Sequence, residues 1–360
     1  VALSLNGLFR RTSKPLLGID VTETSIKLVE LAPGAGSSMR LERYAIEPLE
    51  RGAIVHGNVE KPEVVAQALT RAIRRTGSRA RHAAMALPTA AVITKRITLP
   101  AGLTEEDYEV QVESEASQYI PFSIDEVNLD FQILGPAAHG AEDVEVLLAA
   151  SRRDRVEDCV AIAEMAGLQP VVIDVQPFAA RVAIDHVARL LEGSERNTVL
   201  AVLDIGETTT SLTVVHDGQT VFEREQPFGG GVLTQDIARC YGLSFEDAEL
   251  RKRSADLPSS FEAEVLAPFN DQAATEVARA LQFFFTSTPF TRVDRILLAG
   301  GSAVTPGLAD AIAQRIQVPA EVMSPFRGME IGKGIRERQL QNDAPALMVS
   351  CGLAMRRFDE

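Results

Sequence analysis

One segment of this chain occurs twice. LLGIDVTETSIKLV, beginning at Leu16, lines up with AVLDIGETTTSLTVV, beginning at Ala201, so that Asp20 falls opposite Asp204, Glu23 opposite Glu207 and Thr24 opposite Thr208. Each copy is an apolar strand, a polar turn and a second apolar strand, the pattern of a β-hairpin. The copies lie 184 positions apart in 360 residues. That spacing is too long for a solenoid repeat and right for two related lobes of an α/β protein. A hydrophobic content of 46% supports two sizeable cores.

The repeated element suits one kind of chemistry. Backbone N–H groups in a tight turn of small hydroxyl residues converge on an anion, while the aspartate stands at the edge. Magnesium keeps most of its waters, so carboxylates that orient those waters serve it better than a cage of direct ligands. Two such hairpins facing each other are expected to grip a polyphosphate, with Asp20 and Asp204 holding magnesium through waters. Lys27, past the first turn, is placed to reach the phosphates as a point charge. A third piece is ILLAGGSAVTPGL, from Ile296 to Leu308. Here an apolar strand leads to two glycines, a serine and a Thr-Pro expected to start a helix, and glycines let a ligand approach the backbone. Ser302 is not a hydrolase nucleophile, because the second glycine of a G-x-S-x-G elbow is missing and no histidine is near.

Charge and cysteine content narrow the function. The net charge is −14 with pI near 5.0, which disfavours a nucleic-acid partner. Cys159, Cys240 and Cys351 are far apart and form no CxxC, so neither a zinc site nor a disulfide frame is expected. No apolar run of about 18 residues and no signal peptide is present. A cytoplasmic protein is expected, touching a membrane only indirectly. The segment 1–15 reads as a tail. Arg71, Arg74, Arg75, Arg79 and Arg81 gather at the end of a helical stripe, where the helix dipole and solvation account for them, with contact to acidic lipid or a partner as the alternative.

Taken together, the two Asp hairpins and the glycine segment resemble the phosphate and adenosine motifs of the actin, sugar-kinase and heat-shock chaperone superfamily. The chain is similar, more narrowly, to the FtsA and PilM families. The carriers are GGGVLTQDIARCYGLSFEDAELRK from Gly229, SQYIPFSIDEVNLDF from Ser117 and the opening GLFRRTSKPLLGIDVTETSIKLVEL. The opening looks most like PilM, and the stop at Glu360 without an amphipathic membrane helix points the same way. This resemblance implies an actin-like ATPase fold with an FtsA-type inserted subdomain, and ATP and Mg2+ as cofactors. Residues 16–43 and 151–195 would form the first lobe with the terminal helix 344–360. Residues 44–150 would form the inserted, partner-binding subdomain, and 196–343 the second lobe with a nucleoside-side part at 230–290. The nucleotide contacts implied in the first lobe are Asp20, Thr22, Thr24, Ser25 and Lys27. In the second they are Asp204, Gly206, Thr208, Thr209 and Gly230, with Glu249 and Lys252 at the nucleoside and Gly300, Gly301 and Ser302 beside it. Gln176 is the candidate for orienting hydrolytic water, and turnover is expected to be slow or absent.

Thr22 departs from the glycine common in actin and the chaperones, so the first turn is expected to hold phosphate less closely. The implied role is a type IV pilus assembly protein recruited to the inner face of the bacterial inner membrane by PilN. The N-terminal peptide of PilN would lie in a groove beside the inserted subdomain. Tyr119, Ile120, Pro121 and Phe122 are the apolar candidates for that groove, with Glu113, Glu115, Asp125 and Glu126 attracting a basic peptide. Other pilus motor and platform proteins, and self-association, are further expectations. A filament-forming FtsA-like protein and a small-molecule kinase are the alternatives, the kinase lacking a second set of substrate-binding residues.

Overall fold

The computed structural model describes residues 14–36, 38–137, 140–191 and 197–358. Residues 1–13 of the expected tail, and Asp359 and Glu360, lie outside the described residues. Two compact units emerge, one built on residues up to 32, 43–180 and from 352 onward, the other on 33–42 and 181–351. The expected lobe boundary therefore shifts. Residues 181–191 and 344–351 group with the second unit, although the family resemblance implied a place for them in the first.

Both units order their strands alike. In the first, Leu16–Val21 pairs antiparallel with Ser25–Pro33, which neighbours Met39–Pro48. On its other side Leu16–Val21 runs parallel to His82–Leu87, which runs parallel to Gln169–Val175. In the second, Val199–Ile205 pairs antiparallel with Thr210–His216, and that strand with Gln219–Gln226. Arg295–Ala299 lies parallel to Val199–Ile205, and Ala320–Val322 parallel to Arg295–Ala299. The hairpin registers match residue for residue: Asp20 faces Lys27 as Asp204 faces Ser211, and Val21 faces Ile26 as Ile205 faces Thr210. The repeat in sequence is thus a repeat in fold.

The first unit's core joins Leu17, Ile19, Ile26 and Leu28 of the hairpin to the helices Pro62–Thr76 and Arg153–Met165. Pro62–Thr76 buries Val65, Ala66, Ala68, Leu69 and Ala72 as its periodicity predicts. It ends where Gly77, at φ 63°, turns left-handed and donates its N–H to the carbonyls of Ile73 and Arg74. The terminal residues dock on the same unit through charge. Arg356 Nε and Nη2 donate to the buried Asp174 carboxylate at 2.9 and 2.5 Å, and Arg357 Nη1 to the Leu31 carbonyl at 2.6 Å. The second unit's core sets Leu203, Ile205, Leu212 and Val214 against Phe269, Val277, Leu281 and Phe284 of the helix Ala267–Ser287.

The inserted layer has its own core, and it is smaller than the sequence suggests. Strands Val92–Pro100, Gly140–Arg152 and Val127–Ala137 form an antiparallel sheet with Gly140–Arg152 in the middle. Helix Glu105–Ala116 covers one face, packing Tyr108, Val112 and Ala116 on Ile97, Leu99, Val146 and Leu148. Thr104 caps that helix by accepting the Asp107 N–H at 3.2 Å, as its acidic first turn leads one to expect. Residues 44–91, expected in this layer, belong instead to the first unit's main core. Ala45, Leu49 and Ile54, the helix Pro62–Thr76 and the strand His82–Leu87 bury their apolar faces there. The separate layer spans 92–152.

Candidate functional site

In the second unit, the turn after Asp204 is a meeting point. Gly206 N–H donates to the Thr209 carbonyl at 2.9 Å and closes the turn. Its own carbonyl accepts twice, from the Gly230 N–H at 2.9 Å and from the Ser302 hydroxyl at 3.0 Å. Gly231 N–H donates to the Glu207 carbonyl at 2.8 Å and Ser302 N–H to the Ile205 carbonyl at 3.0 Å. Three segments are laced together in this way: the hairpin turn, the start of the helix Gly230–Tyr241, and the residues after the strand Arg295–Ala299.

Such closeness requires glycine. A Cβ at Gly229 would lie 2.5 Å from the Glu207 carbonyl oxygen, and one at Gly230 2.1 Å from Ser302 Oγ. Gly300 adopts φ +86°, and a Cβ there would meet Asp204 Oδ1 at 2.4 Å. Gly301 differs, because a Cβ added to it meets nothing within 4 Å. Its backbone borders open space. Thr208 is exposed and Asp204 half-buried beside it. The expected helix start at Thr305-Pro306 falls later, at Leu308. Gly307, at φ +74°, sits between, and the Pro306 carbonyl is taken up by the Asn270 amide at 2.8 Å.

Glu249 and Lys252 lie on the helix Phe245–Ser254, which Ser244 caps by accepting the Asp247 N–H at 3.0 Å. They form a closed group rather than a solvated pair. Lys252 Nζ lies 2.5 Å from Glu249 Oε2 and donates to Thr234 Oγ1 at 2.6 Å, while the Thr234 hydroxyl donates to Glu249 Oε2 at 2.7 Å. Arg253 Nε donates to the other carboxylate oxygen at 2.7 Å. Burial pushes the Glu249 carboxyl up, but the Lys252 ammonium and the three hydrogen bonds outweigh it and hold it at about 2. Against an unfolded value near 4.5, a lowered carboxylate contributes stability above pH 4.5 and loses it as pH falls toward 2. Glu249→Gln is therefore expected to melt below the wild type at neutral pH, with the gap closing across that acidic window. Thermal melts of both proteins followed by circular dichroism read this directly, and a gap independent of pH would show that the carboxylate's charge is not what the group uses.

The first unit's turn has the same register and a different closure. Thr22 N–H and its hydroxyl both donate to the Ser25 carbonyl, at 3.0 and 2.9 Å, and Ser25 N–H returns to the Thr22 hydroxyl at 3.3 Å. The Thr24 carbonyl accepts from Leu49 N–H at 2.9 Å. Asp20 is 2% exposed. Its oxygens are engaged, Oδ2 by Lys27 Nζ at 3.1 Å and Oδ1 by the Gln176 amide at 3.0 Å. Gln176 begins the helix Gln176–Ala188, and that start sets its amide beside Asp20. Lys27 points at Asp20, its register partner, rather than outward.

Of the four apolar residues of the candidate groove, Tyr119, Pro121 and Phe122 are exposed and Ile120 is buried. After helix Glu105–Ala116 the chain makes one more turn, with Tyr119 and Ile120 N–H both donating to the Ala116 carbonyl. Ile120 is thereby 6% exposed in the inserted layer's own core, while Tyr119 and Phe122 stay 41% and 40% exposed. Lys95 Nζ sits 4.9 Å from the Tyr119 ring centre and Arg152 Cζ 5.6 Å from that of Phe122. Sequence reasoning missed Gly229, Gly231 and Thr234. The run of three glycines was the available signal for the first two, whereas Thr234 looked like an ordinary helix position.

Two units of one strand order, each with an Asp-turn hairpin at the edge of its parallel strands, define an actin-like α/β fold. The chain belongs to the type IV pilus assembly protein PilM family, whose description matches residues 18–358. A solved structure of a PilM-PilN type IV pilus biogenesis complex superimposes with a TM-score of 0.80 at 31% identity, covering 97% of this chain and 100% of that one. The cell division protein FtsA of Bacillus subtilis (strain 168) is 22% identical over 383 residues, spanning 93% of this chain and 82% of its own length. The ethanolamine utilization protein EutJ from Carboxydothermus hydrogenoformans shares the fold, with a TM-score of 0.54 at 18% identity over 94% of this chain and 88% of its own. Among the described residues, no helix is long and apolar enough to cross a membrane.

Proposed function

We propose that this type IV pilus assembly protein binds Mg-ATP and is recruited to the inner face of the inner membrane by the N-terminal segment of a PilN-like protein. The observation that carries the nucleotide reading is the glycine cradle around Gly206, with the open backbone face of Gly301 next to it. Such a face admits a ligand where any side chain would intrude. Asp204, half-buried at the end of its strand, fits a carboxylate that orients magnesium-bound waters. When bound, magnesium would neutralise phosphate charge. Glu249 and Lys252, held by Thr234, are the groups for the nucleoside. Turnover is slow or absent, because Gln176 commits its amide to Asp20 and would have to leave it to orient water.

The partner reading is supported by the relative solved as a PilM-PilN complex and by two exposed aromatic rings on the inserted layer. Tyr and Phe rings standing out of a small sheet layer are typical anchors for an extended peptide. Lys95 and Arg152 lie over the rings themselves, while Glu113, Asp125 and Glu126, exposed and close by in sequence, suit a basic peptide end. The test is a calorimetric titration of the chain with Mg-ATP and with a PilN-type N-terminal peptide, separately and together. Saturable binding of both is expected, with the peptide lost in Tyr119→Ala/Phe122→Ala. Unchanged peptide affinity in that variant would place the groove elsewhere, and an absence of heat with Mg-ATP would remove the nucleotide reading.

A further inference from the structure

The basic group at the end of the helix Pro62–Thr76 divides in two. Arg71 and Arg75, though exposed, are engaged by the fold's own Glu47, at 2.8 and 3.3 Å. Arg74, Arg79 and Arg81 are exposed and have no ion-pair or hydrogen-bond partner for their side chains among the described residues. The helix dipole accounts for a cation in its last turn and fades beyond it. Arg79 and Arg81 come after Gly77 has ended the helix, so the dipole does not explain them.

Topology brings these residues to one end of the first unit. Arg79 and Arg81 flank the buried Ala80, an exposed-buried-exposed alternation that turns both outward. The Arg81 carbonyl accepts the Gln169 N–H at 2.7 Å, and His82 is in register with both Leu16 and Gln169. The amino ends of three parallel strands therefore meet here. Lys14, also exposed and without a side-chain partner among the described residues, lies just before Leu16. Met165, 49% exposed in the last turn of the helix Arg153–Met165, lies at the same end because that helix feeds the strand Gln169–Val175. Glu164 is the carboxylate on that turn, and it forms no bridge to the arginines.

We infer that this end of the first unit rests directly on an anionic phospholipid surface. Four cations spread over an edge match a plane of diffuse negative charge better than an isolated phosphate. An exposed methionine gives the acyl boundary an apolar contact. Aromatic rings for stacking bases are absent from the group, which disfavours single-stranded nucleic acid. With a net charge of −14, the remainder of the chain is repelled by such a surface, so contact through this end also fixes orientation. The inference is independent of nucleotide and of the peptide partner, and its test uses neither.

The full chain would be sedimented with vesicles of phosphatidylcholine alone and of phosphatidylcholine with phosphatidylglycerol. Binding is expected only with phosphatidylglycerol and is expected to fall at high salt. Each basic residue near such a surface contributes about fivefold in partitioning, so Arg74→Glu/Arg79→Glu/Arg81→Glu should lose on the order of a hundredfold or more. Lys333→Glu/Arg336→Glu/Arg338→Glu makes the same charge change at exposed positions of the second unit and is expected to bind nearly as the wild type does. Should the triple glutamate variant not fold, Arg74→Gln/Arg79→Gln/Arg81→Gln takes its place with a smaller expected loss. The inference is overturned by equal losses in both sets of variants, by full competition from inorganic phosphate, or by preference for an oligonucleotide over the vesicles.

Discussion

Gly352→Ala is expected to be among the most destabilising single-methyl additions in this chain. Gly352 lies in the helix Met348–Met355, where a Cβ would stand 1.8 Å from the carbonyl oxygen of Ala179 in the helix Gln176–Ala188. At that distance no rotamer choice helps, because the obstacle is backbone and the added atom has no torsion of its own. Ala179 is itself fully buried, as are Ala183, Leu353 and Ala354 around it, so the helices have no room to part without opening the core. Overpacking a tight core costs about 1–3 kcal/mol and more where backbone must shift, and about 3 kcal/mol or more is expected here. Urea unfolding of wild type and variant measures it. A midpoint that does not move would mean that the two helices separate freely.

The second large effect separates two adjacent glycines. Gly300→Ala forces a left-handed backbone onto a residue with a side chain and drives that side chain into Asp204 and Ile205. Both melting temperature and nucleotide affinity should fall. Gly301→Ala meets nothing in the protein, so its melting temperature should equal that of the wild type. If the open face beside Gly301 receives the nucleotide, the methyl occupies the ligand's space instead, and affinity for Mg-ATP should drop on the order of tenfold or more. Differential melting with and without ligand reads both quantities in one experiment. A Gly301→Ala protein that keeps full affinity would show that nucleotide, if bound, lies away from this face.

The duplicated hairpins were legible because a strand, a short polar turn and a second strand leave a local pattern, and the offset of 184 residues holds through the whole register. The edge of the inserted layer was not. Residues 62–87 show the same helix and strand periodicities whether they pack on the first sheet or on a separate one, and only long-range pairing with Leu16–Val21 decides. The aromatic pair was half legible. Tyr119-Ile120-Pro121-Phe122 announces an apolar cluster, but which members face inward depends on one extra turn after Ala116. At the cradle, the glycine positions were visible while their purpose was not, since a sequence shows where a side chain is missing and not what would have collided with it. Lys27 shows the same limit: the sequence gives its distance from Asp20 along the chain, while only the hairpin register makes the two a cross-strand pair.

The closures of the two turns carry a consequence for how the halves of a duplicated chain can change. Thr22 closes its turn with its own hydroxyl, and the further ties to that turn, from Leu49 and His56, come from one neighbouring stretch of chain. Gly206 offers its carbonyl to Gly230 and Ser302, so any shift there is felt by two distant stretches of chain at once. One copy is a splice of two stretches and the other a splice among three. The second copy is thus the more constrained of the two, because two separate stretches must keep their fit to it for the turn to stay as it is.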